Sequence, residues 1–182
     1  MAIYKIYPAH SDIMFKVKHL MIATATGIFK NFDATIDVNK EDLSDAKVFF
    51  EADVNSIDTK NEQRDAHLKS DDFFNAEQFP KITFKSTSIE SAGGSEYKLK
   101  GDLTVRDITK PVILNVEYNG KITDPWGMER MGFEISGKIN RREFGLRWSA
   151  VTEAGGIVVA DDVKLALNVE MVKQPVEEAV GV

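Results

Sequence analysis

Hydrophobic and polar residues alternate along most of this chain. In "GIFKNFDATIDV", Ile28, Phe32, Ala34, Ile36 and Val38 share one parity, while Asn31, Asp33, Thr35 and Asp37 occupy the other. A period of two places successive side chains on opposite faces of an extended backbone, so the run predicts a strand with one dry and one wet face. The pattern starts with Ile13, Phe15 and Val17. It recurs over 48–54, 82–84, 97–105, 112–118, 131–139 and 163–171, giving eight runs. Wet outer faces are typical of antiparallel sheets, not of parallel sheets covered by helices. Short links such as "ESAGGSE", "RDITKP" and "DPWGME" read as turns, and the adjacent glycines of the first mark a hairpin.

Eight successive strands with few helices predict an all-β protein. The expected architecture is an extended eight-stranded antiparallel up-and-down barrel, lipocalin-like, because closure removes exposed edges. A two-sheet sandwich is the competing arrangement. Strands of about 10 to 12 residues, at roughly 3.3 Å each, make the barrel tall. Eight strands leave an interior that side chains fill or that holds one small ligand. Ala34, Ala52, Ser86, Ser88, Gly101 and Gly137 on the dry face leave volume for a long apolar cavity, unless larger residues opposite occupy it.

Only "KNEQRDAHLKSDDFF" interrupts the alternation for long. Asp58 or Thr59 as N-cap, with Glu62 three residues after Thr59, predicts a short helical crossover near 60–69. It would lie beside the barrel or across one end, anchored by Leu68, Phe73, Phe74 and Phe79.

Length changes little in this picture: 182 residues suit one barrel domain over 1–173, followed by a flexible tail over 174–182. The formal charge of −6 argues against a nucleic-acid partner. No apolar run reaches the roughly 18 residues of a membrane span, so integral membrane insertion is not expected. With zero cysteines there are no disulfides, thiolate nucleophiles or Cys-ligated zinc. "MAIYKIYPAHSD" lacks the basic-then-apolar order of a signal peptide, so the expected compartment is the cytoplasm, or the periplasm if a leader has been removed.

Candidate chemistry concentrates in "RDAHLKSDD", where Asp65 or Asp71 beside His67 could orient a proton transfer. That supports an alternative reading as a hydrolase or other enzyme acting on a lipid headgroup, centred on Asp65 and His67. No nucleophile elbow, phosphate loop, dinucleotide fingerprint or zinc-protease helix accompanies it. His10, His19 and His67 are the three histidines, and regular alternation puts the first two on opposite faces, so no metal site is assigned. No catalytic residue and no cofactor is assigned either. Arg106, Arg141 and Arg147, with His67 and Trp148, are candidates for a barrel mouth that holds an anionic headgroup. Arg142 extends the arginine cluster as surface charge, and Trp126 reads as a lid or as packing under a loop.

The stretches "HSDIMFKVKHL" (10–20), "GIFKNFDATI" (27–36), "SIDTKNEQRDAHLKSDDFFNAEQFPKITFKS" (56–86), "GDLTVRDITKPVIL" (101–114) and "GFEISGKINRREFGL" (132–146) carry a resemblance in their order and spacing. The chain resembles the YceI-like family of lipocalin-like, polyisoprenoid-binding proteins. The resemblance implies an elongated apolar lumen, partly closed by the helical segment, that takes up a long-chain isoprenoid or fatty lipid for carriage or storage. It also implies that barrels pair, making a homodimer possible, and that many relatives are exported. On this reading the lumen residues are Phe15, Val17, Phe32, Ile36, Phe50, Val54, Phe84, Leu99, Leu103, Leu114, Val116, Phe133, Ile135, Leu165 and Val169. A filled barrel serving as an interaction module is the remaining alternative.

Overall fold

The computed structural model describes residues 2–149 and 158–175. They form one antiparallel sheet of eleven strands. These are β1 (Ala2–Ile6), β2 (Asp12–His19), β3 (Ala23–Phe29), β4 (Phe32–Val38), β5 (Lys47–Asp53), β6 (Ile57–Asp58), β7 (Lys81–Gly93), β8 (Glu96–Val105), β9 (Ile108–Thr123), β10 (Glu129–Asn140) and β11 (Val159–Lys173), with helix α1 (Glu62–Lys69) between β6 and β7.

Three pairs of strands behave as single staves that break midway. β1 and β2 both lie along β11, through Tyr4↔Lys173 and Val17↔Val163 respectively. β3 and β4 follow beside them, then β5 and β6. With β7 to β11 the staves number eight, and the β1–β11 pairing joins the last to the first. The sheet is therefore a closed up-and-down barrel, and the sandwich arrangement is excluded.

Breaks reset the inward parity, which simple alternation cannot anticipate. At Lys30–Asn31 the buried set passes from Gly27 and Phe29 to Ala34, Ile36 and Val38, so Ile28 stands on the opposite face from that expected. Backbone bonds from Lys30 N to Ser56 O (3.2 Å) and from Asp53 N to Asn31 O (2.9 Å) hold this corner. β1 was not anticipated: its five residues are short, although Tyr4 and Ile6 are buried. The hairpin at "SAGGSE" forms as read, with Gly93 and Gly94 at φ of +104° and +55°.

One half of the barrel is filled. Tyr4, Met131, Phe133 and Met171 are buried there, and Phe133 stacks on Tyr118 at 5.2 Å between ring centroids. Each such side chain contributes about 1.5–3 kcal/mol. Glu129 closes this end, paired with Lys121 at 3.0 Å and Lys173 at 3.3 Å and accepting the Tyr4 hydroxyl at 3.2 Å. Burial, then the Glu129 charge, pushes the Tyr4 phenol up to about 12.

At the opposite end, α1 packs beside β6, the short strand paired on β3, and leads the chain on to β7. Its N-cap is Asn61, whose Oδ1 accepts from Arg64 N at 2.9 Å, and not Asp58 or Thr59. Those two are committed elsewhere. Thr59 donates its N–H and its hydroxyl to the Asp65 carboxylate at 2.9 and 2.5 Å, and Asp58 accepts from Lys60 N at 2.8 Å. Most of the expected tail, 176–182, lies outside the described residues, while Gln174 still donates its backbone N–H to Ile3 O at 2.7 Å.

Candidate functional site

A cavity of about 210 Å³ occupies the barrel interior from its middle to the α1 end. The surface it presents is apolar, although Arg141 borders it with its polar atoms turned away. Strand alternation supplies most of it, and the crossover supplies Leu68, Phe73 and Phe74. The crossover is seated by rings: Phe15 packs on Phe29 at 5.6 Å, and Phe29 meets Phe74 edge-on at 6.2 Å.

Ten of the fifteen residues expected in the lumen line this cavity: Phe15, Val17, Phe50, Phe84, Leu99, Leu103, Leu114, Ile135, Leu165 and Val169. Phe32, Ile36, Val54, Val116 and Phe133 lie outside its lining, in the packed remainder of the interior. Sequence reasoning did not put Ile6, Phe29 and Leu146 in a wall: Ile6 lies on the short β1, and Phe29 was hidden by the parity break after it. Of the small residues, Ala34 and Ala52 face the cavity. A Cβ at Gly101 would overlap the Phe84 ring and come within 2.6 Å of Lys85 O, and one at Gly137 would meet Leu114 Cδ2 at 2.7 Å, so neighbouring side chains already use that space. Ser86 Oγ accepts from Val48 N at 2.8 Å.

The polar residues expected at the mouth are distributed unequally. Arg141 is buried, and its guanidinium donates to the carbonyls of Ala160 (2.9 Å), Leu146 (2.6 Å), Trp148 (2.7 Å) and Val159 (3.4 Å). It clips the turn after β10 to the start of β11, and burial, aided by Arg142, lowers its pKa. Arg106 donates to the carbonyls of Asp71 and Phe73, both at 3.0 Å, and to the Asp71 carboxylate at 2.9 Å, with Phe79 under its guanidinium at 5.7 Å. It fastens the crossover to the β8–β9 turn. Arg147 is exposed next to Leu146 and Trp148. Trp126 is exposed in the β9–β10 turn, with no part in the cavity wall.

His67 sits on the crossover, edge-on to Phe73 (5.0 Å) and Trp148 (4.9 Å), with Nε2 2.8 Å from Asp72 Oδ2. Asp65, two residues away on the helix, turns instead to Thr59. Residues at that spacing do not face each other, so the Asp65–His67 pairing is not assembled. His10 lies in a 3₁₀ turn against Glu170 at 2.9 Å, and His19 ends β2. Among the described residues no group of three or more His, Cys, Asp or Glu is placed to hold a metal ion, and no helix is long and apolar enough to cross a membrane. A second hollow, of about 430 Å³, crosses the outside of β8–β11 past Lys98, Glu117, Glu134 and Asn168. Its mixed polar floor offers none of the apolar enclosure found inside the barrel.

Comparison with known proteins gives this geometry a family context. A UPF0312 protein of Staphylococcus aureus strain USA300 is 39% identical over 163 residues, covering 89% of this chain and 92% of the relative. The crystal structure of a Campylobacter jejuni YceI protein superposes with a TM-score of 0.74 at 32% identity, covering 87% of this chain and 90% of that one. A polyisoprenoid-binding domain from Saccharophagus degradans shares the fold, with a TM-score of 0.67 at 14% identity over 92% of this chain and 97% of that one. The YceI-like domain matches residues 4–171, nearly the whole barrel, and the chain belongs to that family.

Proposed function

We propose that this protein binds a long-chain isoprenoid or a similar amphiphilic lipid in its barrel, as a carrier or store and without chemical turnover. The observation that carries this reading is the interior cavity, whose wall has no polar surface to bind a headgroup. A hydrocarbon tail fits such a wall, because each methylene taken from water contributes about 0.8 kcal/mol before ordering costs. The headgroup of an amphiphile then stays outside, near His67 and Arg147. The S. degradans neighbour is described as a polyisoprenoid-binding domain, which points to the same ligand class.

The cavity volume sets a condition on uptake. About 210 Å³ exceeds the roughly 150 Å³ that accommodates benzene but falls below the roughly 300–1,000 Å³ of drug-sized sites. A short hydrocarbon segment enters the barrel as it stands. A chain of many isoprene units requires interior side chains such as Phe15 and Phe84 to turn aside.

Native mass spectrometry of the purified protein, followed by organic extraction and uptake of a labelled prenyl alcohol, tests the reading. The expected result is a co-purifying lipid or saturable uptake with the lipid recovered unchanged. Absence of both overturns it. Turnover of the lipid that is lost in His67→Ala while binding persists would favour the enzymatic reading instead.

A further inference from the structure

The turn that joins β2 to β3 is built in an unusual way. His19 O accepts from Ile22 N at 3.3 Å, and φ is +53° at Leu20 and +59° at Met21, so both central residues are left-handed. That geometry normally selects Asn-Gly, because a bulky side chain there is strained. Here the tip is Leu20, Met21 and Ile22, respectively 39%, 56% and 87% exposed. The strain is not repaid by burial within the protein.

A basic row lies below the tip. Lys164 is directly opposite Lys16 across one strand boundary and Lys138 across the other, and Lys18 lies two residues nearer the tip. All four are exposed, and among the described residues only Lys138 has a carboxylate partner, Asp162 at 3.6 Å. Like charges directly opposite destabilise a sheet. They gather four positive charges towards one end of the barrel on a chain of net charge −6. The cavity reaches that same end: Val17 and Val159 are in its wall, and Val159 pairs with His19 at the base of the tip.

We propose that this end of the barrel docks on an anionic lipid bilayer. Leu20, Met21 and Ile22 enter the acyl boundary, and Lys16, Lys18, Lys138 and Lys164 face the phosphates. An apolar tip bordered by lysines provides both components of interfacial binding, apolar insertion and attraction to anionic headgroups. The strained, exposed residues and the lysines then have one partner in common. The biological purpose of docking rests on the lipid-binding reading, but vesicle binding and prenyl uptake are separate measurements.

The test is co-sedimentation of the full chain with vesicles of equal parts phosphatidylcholine and phosphatidylglycerol, and with phosphatidylcholine alone. The protein should bind the anionic vesicles in a salt-sensitive manner. Leu20→Asn with Met21→Gly should reduce binding about tenfold while raising Tm, because Asn-Gly suits this turn. That gain separates lost docking from lost folding. Lys16→Glu with Lys164→Glu should abolish the preference for anionic vesicles. The proposal is overturned if the wild-type chain does not bind, if the turn variant binds equally well, or if that variant changes only self-association in sedimentation velocity, which would assign the tip to a second copy. Prenyl uptake without vesicle binding leaves the lumen reading intact and removes docking; the reverse result does the opposite.

Discussion

Leu114 and Phe133 both face inward yet stand in different surroundings. Leu114 is in the cavity wall, whereas Phe133 lies outside it and is stacked on Tyr118. Substituting Trp at each separates the two environments. Leu114→Trp should shorten the longest prenyl chain that native mass spectrometry detects, with the fold retained. Phe133→Trp should leave chain length unchanged and instead lower stability by about 1–3 kcal/mol, the usual cost of overpacking. The arginines teach a similar lesson about residue type. Arg106 and Arg141 had the charge and the position for a mouth, but their forked donors are spent on backbone carbonyls that ends of strands and turns leave unpaired.

Among the elements, the crossover is held by a few identifiable ties. α1 has no buried residue and is held by its Asn61 cap, by the aromatic contacts of Phe73 and Phe74, and by Arg106. Removing Arg106 deletes three hydrogen bonds between the crossover and the β8–β9 turn. Arg106→Ala should therefore speed amide exchange over 62–79 by about tenfold, in line with the loss of one to two kcal/mol. Protection in β8 to β11 should not change. Arg106→Lys should fail to restore it, since a single ammonium nitrogen does not reproduce the fork whose Nη1 holds the Asp71 and Phe73 carbonyls while Nη2 holds the Asp71 carboxylate. Ligand uptake accelerated in Arg106→Ala would identify the crossover as the way in.

For the molecule as a whole, one source of acid sensitivity lies at the filled end. The Lys121 ammonium holds the Glu129 carboxyl below its ordinary range, and Lys173 and Tyr4 add to this against the opposing effect of burial. A carboxylate depressed in the folded state contributes stability above its unfolded pKa, roughly 4.3, and loses that contribution as pH falls through the folded value. Tm should therefore be flat from neutrality to about pH 5 and fall below it. Glu129→Gln should lower Tm at neutral pH and flatten the acid limb, as measured by thermal melts across pH.

The alternating pattern determined the count of eight staves, the antiparallel sense and the all-β class, because local sterics and one-sided burial impose a period of two. Turn chemistry marked the β7–β8 hairpin, and the loss of period around 60–69 marked the crossover. Three-dimensional structure alone decided closure through Tyr4↔Lys173 and its neighbours, the breaks that reversed parity at Ile28, and the division of one apolar face into a filled half and a hollow half. Alternation says which face is dry, but volume inside a barrel depends on what stands across it. Phe84 over Gly101 and Leu114 over Gly137 are such relations between strands, and no single run contains them. The same reason kept "LMI" after His19 from standing out. Three apolar residues in a row become unusual only when folding leaves them exposed at a left-handed turn beside a row of lysines.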